Sequence, residues 1–221
     1  SHIAIETTFG NLRYFKRLPE GTECAVATSK VINLSDVFGD SDQTNKFVTR
    51  YLQSTHCDLF FADAAILVEG VAESMLLPHF IRSKFPELYQ RYITILGVNG
   101  RHAHRLSPLI EKLCLPTLVI TDLDPAEKEG YHKSVVPKRG EGQISGNYAI
   151  AKWLMKEKDI DKLVDYSEDK KEFSFASPYR FSIRLAYQTP VKVDFEGEEK
   201  EAIPGTFEDC LIYTNYDLFK K

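Results

Sequence analysis

Three strand-length runs, AAILVE from residue 64, RYITILGV from 91 and TLVITD from 117, alternate with the helical patterns AESMLLPHFIRSKF and HRLSPLIEKLC. Apolar runs that do not alternate with polar residues fit strands buried on both faces, and strands alternating with helices fit a mostly parallel sheet covered by those helices. Right-handed crossovers then bring the carboxyl ends of the three strands to one edge, where open sheets of this kind bind ligands. The expected class is therefore α/β, Rossmann-like, with a mostly parallel central sheet flanked by helices.

On either side of this centre the signals are weaker. Alternation in NLRYFKR and ECAVATSKVINL predicts two strands joined at LPEGTE, and residues 41–63 read as a helix capped by Ser41 or Asp42. Residues 1–63 read as a connecting segment, not the chemical centre, and 64–221 as the main domain. A helical insertion is expected at about 126–178, with one helix in NYAIAKWLMKEKDIDKLVDY. YRFSIRLAYQTPVKVDFEG and EDCLIYTNY read as strand-like.

The strand pattern places Glu69 at the end of the first run, and Asp122 and Asp124 at and just beyond the end of the third. Glu73 falls one helical turn after Glu69 and shares that edge. Each alone has an ordinary explanation, because a glutamate in a first turn suits the helix dipole and an aspartate after a strand caps turns. Four carboxylates at one edge instead repel one another and raise one another's pKa values. A divalent cation removes that penalty, since magnesium takes hard oxygen ligands together with phosphate oxygens.

Among 221 residues the formal net charge is -4, so a polyanionic partner would need local basic patches or bound cations. Lys133, Lys138 and Arg139 suit backbone phosphates, although a solvated charge run explains them equally well. His102 and His104 in VNGRHAHR read more simply as a hydrophilic loop than as ligands. Cysteines 24, 57, 114 and 210 form no CxxC pair, and no apolar run approaches the ~20 residues of a membrane helix, so a cytoplasmic protein without membrane contact is expected.

LVEGVAES and VITDLDP, separated by two helices and a strand, resemble the Toprim domain of topoisomerases, bacterial primases and certain nucleases. Glu69-Gly70-x-x-Glu73 followed by MLLP resembles the overcoming-lysogenization-defect (OLD) family of ATP-dependent nucleases, as do SHIA, LRYFKR, SKVINL, SGNYAIAKWL, RLAYQTPV and GTFEDCLI. The resemblance implies a metal-dependent DNA endonuclease using Mg2+ or Mn2+, with two ions. Glu69, Asp122 and Asp124 would hold one; Glu73, with Asp122, Thr206 and Glu208, would hold the second. Read as residues alone, Thr206 equally suits a helix cap with Glu208 or Asp209 in the first turn.

The family also uses a lysine beyond the TFED block; Lys220 and Lys221 stand nearest without a firm match. The chain begins without methionine and carries no GxxxxGK[ST] loop, so the resemblance assigns ATP binding and homo-oligomer formation to a preceding ATPase region, and some relatives act with a helicase partner. Two other readings compete. One is a Toprim module that binds or assembles without catalysis. The other is a haloacid-dehalogenase-like phosphatase, against which Ala126 stands two positions beyond Asp124 where that motif has Thr or Val.

Overall fold

The computed structural model describes residues 11–18, 26–35, 37, 57–98, 102–128, 133–176 and 179–219. Its centre is a five-stranded sheet in the order β4-β3-β5-β9-β8, formed by β3 (Ala64–Val68), β4 (Ile93–Gly97), β5 (Thr117–Ile120), β8 (Glu172–Phe175) and β9 (Phe181–Ala186). The first four strands in that order run parallel and β8 pairs antiparallel with β9 at the edge. The mostly parallel α/β architecture is thus the one the apolar runs predict.

Burial explains the pattern of the runs. In β3 Ala65, Ile66, Leu67 and Val68 are all buried, because the strand has sheet neighbours on both sides and cover on both faces. Leu67 packs with Leu96, Val119, Ile183 and Leu185 in one core, joined by Leu109, Ile110 and Leu113 from α2 (Ser107–Leu113). Full burial of each such side chain contributes about 1.5–3 kcal/mol. Helix α1 (Val71–Lys84) links β3 to β4, and α2 links β4 to β5.

The hairpin of β1 (Arg13–Leu18) and β2 (Thr28–Asn33) is antiparallel, as its alternation predicts; its turn lies outside the described residues, as does most of the expected helix at 41–63. Lys16 ties the hairpin to the sheet domain, because its Nζ donates to the carbonyls of Leu113 (2.6 Å) and Cys114 (3.0 Å). Those carbonyls end α2, where a cation is favourable and Cys114 adopts a left-handed conformation (φ 48°). Burial lowers the Lys16 pKa.

The single helix expected at 147–166 is two pieces. A π-helical turn covers Ala149–Trp153, Lys156 turns the chain at φ 54°, and α3 (Ile160–Asp165) starts afresh with Asp159 as N-cap. Local capping by Asp159 interrupts a pattern that periodicity alone would have continued. The insertion is also less helical than expected, containing the two-residue strands β6 (Pro125–Ala126) and β7 (Ile144–Ser145) as well as β8.

After β9 come β10 (Val191–Phe195) and β11 (Glu198–Ala202), paired as a hairpin. EDCLIYTNY is not strand but mostly α4 (Phe207–Thr214). Thr206 and Asp209 form a reciprocal capping box that fixes its start, overriding the β-branched and aromatic content that reads as strand. Among the described residues no helix is long and apolar enough to cross a membrane.

Candidate active site

Strand register decides which polar residues meet at the carboxyl edge. β3 and β5 pair with Val68 opposite Ile120, so Glu69 and Thr121 emerge side by side. β5 and β9 pair with Ile120 opposite Ala186, and Thr121 N–H continues the ladder to Ala186 O at 3.0 Å, which brings Asp122 beside Gln188. β6 and β7 pair with Pro125 opposite Ser145; Gly146 N–H then donates to Asp124 O (2.9 Å) and Asn147 arrives next to Asp124.

Side chains follow this scaffold. Thr121 Oγ1 donates to Glu69 Oε1 in a short hydrogen bond. The Asn147 amide, fully buried, places Nδ2 2.8 Å from Glu69 Oε1, 2.8 Å from Thr121 Oγ1 and 3.2 Å from Asp124 Oδ2. Gln188 Nε2 donates to Asp122 Oδ1, also closely, while Gln188 Oε1 accepts Leu123 N–H at 2.8 Å. Asp124 itself takes a left-handed backbone conformation (φ 47°), which turns the chain from β5 into β6.

Glu73 is buried in the first turn of α1, against Gly70. A Cβ on Gly70 would meet the Glu73 carboxylate, which would have to move from its present position. Burial, followed by the charges of Asp124 and Glu73, raises the Glu69 pKa despite the Thr121 and Asn147 bonds that oppose the shift. Asp122 is pushed up to about 7, by burial first and then by Glu69, Asp124 and Glu73. No Lys or Arg among the described residues forms a salt bridge with Glu69, Glu73 or Asp122.

A cleft of about 1130 Å³ opens beside these residues, lined among others by Asp122, Asp124, Thr206, Lys128, Lys133 and Lys138. Thr206 therefore faces the same space as two of the carboxylates, but its hydroxyl accepts Asp209 N–H (3.2 Å) as a helix cap. Glu208 is exposed and does not line the cleft, whereas Asp209 does. Arg139 is committed elsewhere, to Glu201 (2.6 Å) and Asp165 (2.7 Å). His104 packs edge-on against Tyr148 at 5.3 Å, and neither His102 nor His104 lines the cleft. Arg101, Lys220 and Lys221 lie outside the described residues.

The donor set is hard oxygen, and among the described residues Glu69, Glu73 and Asp122 have no salt-bridge partner; that chemistry suits a divalent ion. Among the described residues no three His, Cys, Asp or Glu side chains are grouped closely enough to hold an ion together. Glu69 and Asp122 each have one oxygen turned to a neutral donor instead.

The family model for the "Overcoming lysogenization defect protein-like, TOPRIM domain" matches residues 60–124, the stretch that carries Glu69, Glu73, Asp122 and Asp124. These residues are an OLD-like Toprim domain. The sheet around them is the mixed, mostly parallel one of the Toprim fold. The chain is also similar to Endonuclease GajA of Bacillus cereus (strain HuB5-5), 28% identical over 225 residues, which cover 98% of this chain and 29% of that protein. The chain thus spans less than a third of the length of the curated relative it matches. Of the residues that shape the Toprim edge, Thr121, Asn147 and Gln188 were visible only as members of VITDLDP, SGNYAIAKWL and RLAYQTPV.

Proposed function

We propose that this chain supplies the catalytic site of a metal-dependent DNA endonuclease. The observation that carries the reading is the Toprim edge itself: carboxylates sufficiently buried and mutually repelling to push Asp122 to about 7, with no cationic partner for Glu69, Glu73 or Asp122 among the described residues. The similarity to an endonuclease supports the reaction class.

Glu69, Asp122 and Asp124 would hold one Mg2+ or Mn2+, and Glu73, with Asp122, Thr206 and Glu208, a second. Such ions supply positive charge for a phosphodiester displacement and lower the pKa of bound water. The chain's own residues do the remaining work. β3 and β5 fix the carboxylates at one edge, and Gly70 leaves room for Glu73. Lys133 and Lys138, joined by Lys128, line the cleft without ion pairs among the described residues, and would contact backbone phosphates leading to the edge. Thr206 would have to share or give up its bond from Asp209 to act as a ligand. ATP binding and self-association are assigned, by likeness, to an ATPase region of a longer chain.

Supercoiled plasmid incubated with the full-length protein and Mg2+ or Mn2+ tests this reading. Cleavage is expected with metal and not with EDTA, and Asp122→Ala is expected to slow it by roughly 10³-fold, the scale on which lost stabilisation of a developing oxyanion is felt. Wild-type rates in Asp122→Ala would overturn the proposal.

A further inference from the structure

Two buried carboxamides hold the acidic edge, and both are anchored at their far ends. Asn147 Oδ1 accepts the N–H groups of Ala149 (2.9 Å) and Ile150 (3.4 Å), so its orientation is dictated by the π-helical turn that follows. Flipping the amide would set its NH2 against those N–H groups and its oxygen against Glu69. Gln188 Oε1 accepts Leu123 N–H, from the residue between the two aspartates, and this turns Nε2 toward Asp122. Each amide therefore spans from a neighbouring backbone to one carboxylate oxygen: Glu69 Oε1 for Asn147 and Asp122 Oδ1 for Gln188. Among the described residues no hydrogen bond is made to Glu69 Oε2 or Asp122 Oδ2.

We infer that Asn147 and Gln188 are positioning residues that each fix one oxygen of a carboxylate by a neutral donor and leave its other oxygen for a divalent cation. The choice of donor matters. A lysine or arginine in either place would cancel the negative charge that attracts the ion, whereas an amide orders the carboxylate and leaves its charge intact. Asn147 does this for two elements at once, since Nδ2 also reaches Asp124 Oδ2 across the β6–β7 pairing. The inference rests on the metal-dependent reading above. Buried amides must in any case find partners, so the test has to separate positioning from simple satisfaction.

Asn147→Leu and Gln188→Met are neutral variants of similar size that remove the donor without adding a charge to the edge. In the full-length protein, Mn2+ binding is followed by the free-ion electron paramagnetic resonance signal, and plasmid cleavage is measured against Mn2+ concentration, with melting in EDTA as a check on folding. The expected result is a half-saturating Mn2+ concentration raised about 10- to 100-fold in both assays, with the KM for plasmid at saturating Mn2+ little changed. Half-saturation equal to or below wild type would overturn the inference, including where the melting temperature falls, because a purely structural role lowers stability without moving metal affinity. If the wild type neither binds Mn2+ nor cleaves, the metal reading itself fails and takes the inference with it.

Discussion

Two acidic clusters on this molecule are treated in opposite ways. On the flank Arg139 closes on both Asp165 and Glu201, and Glu168 bonds Lys171 (2.7 Å) and Arg184 (2.9 Å), with the Lys171 bond foremost in holding the Glu168 pKa low. At the Toprim edge Glu69 and Asp122 receive neutral hydroxyl and amide donors, and their pKa values are raised, by burial above all. The flank cluster is balanced by its own cations. The edge cluster stores unfavourable charge, as functional sites commonly do at the expense of stability.

That contrast predicts opposite signs on substitution. The largest effect is expected for Asp122→Asn, which removes a charge the fold disfavours. Cleavage should fall by roughly 10³-fold, while metal-free melting at pH 8 should rise, by about 2–4 °C for each kcal/mol recovered in a domain of this size. A lowered melting temperature would break the comparison. Gly70→Ala comes next: the new Cβ meets the Glu73 carboxylate, the far end of a flexible side chain, which must move aside. Half-saturating Mn2+ should rise while melting changes little.

Lys133→Ala and Lys138→Ala are expected to act on DNA binding alone, each lowering the slope of log K against log salt by about 1, with the metal response unchanged. Arg139→Ala should do least. Its pairs are substantially exposed, so less than about 1 kcal/mol is at stake, and plasmid cleavage should match wild type. A large loss of cleavage there would show that the two clusters are not independent.

The edge carboxylates were legible in the sequence because apolar runs mark strands and whatever ends a run stands at the sheet edge. Glu69, Asp122 and Asp124 needed only that rule, and Glu73 needed one helical turn. The donors that hold them were legible as parts of VITDLDP, SGNYAIAKWL and RLAYQTPV but not as partners of the carboxylates. Asn147 is 78 residues from Glu69 and Gln188 is 66 from Asp122, and they meet through strand registers that no local pattern encodes. Capping chemistry accounts for two departures: Asp159 divides an expected helix, and the cap at Thr206, one of the two readings those residues allow, begins a helix where EDCLIYTNY reads as strand. Strand β8 lies inside the expected insertion because its antiparallel pairing with β9 depends on a partner that follows it.

If the acidic edge needs an added cation to be complete, thermal melting between pH 5 and pH 8, with and without Mn2+, shows it most directly. Asp122 binds its proton more tightly folded, at about 7, than at its ordinary 3.8, so the native state holds the extra proton across that window and stability is lost as pH rises through it. Glu69 shifts in the same direction. The metal-free melting temperature should therefore drop from pH 5 to pH 8, Mn2+ should restore it at pH 8 by binding the native state, and Asp122→Asn should flatten both responses. A wild type whose melting neither falls over that range nor responds to Mn2+ would contradict the account.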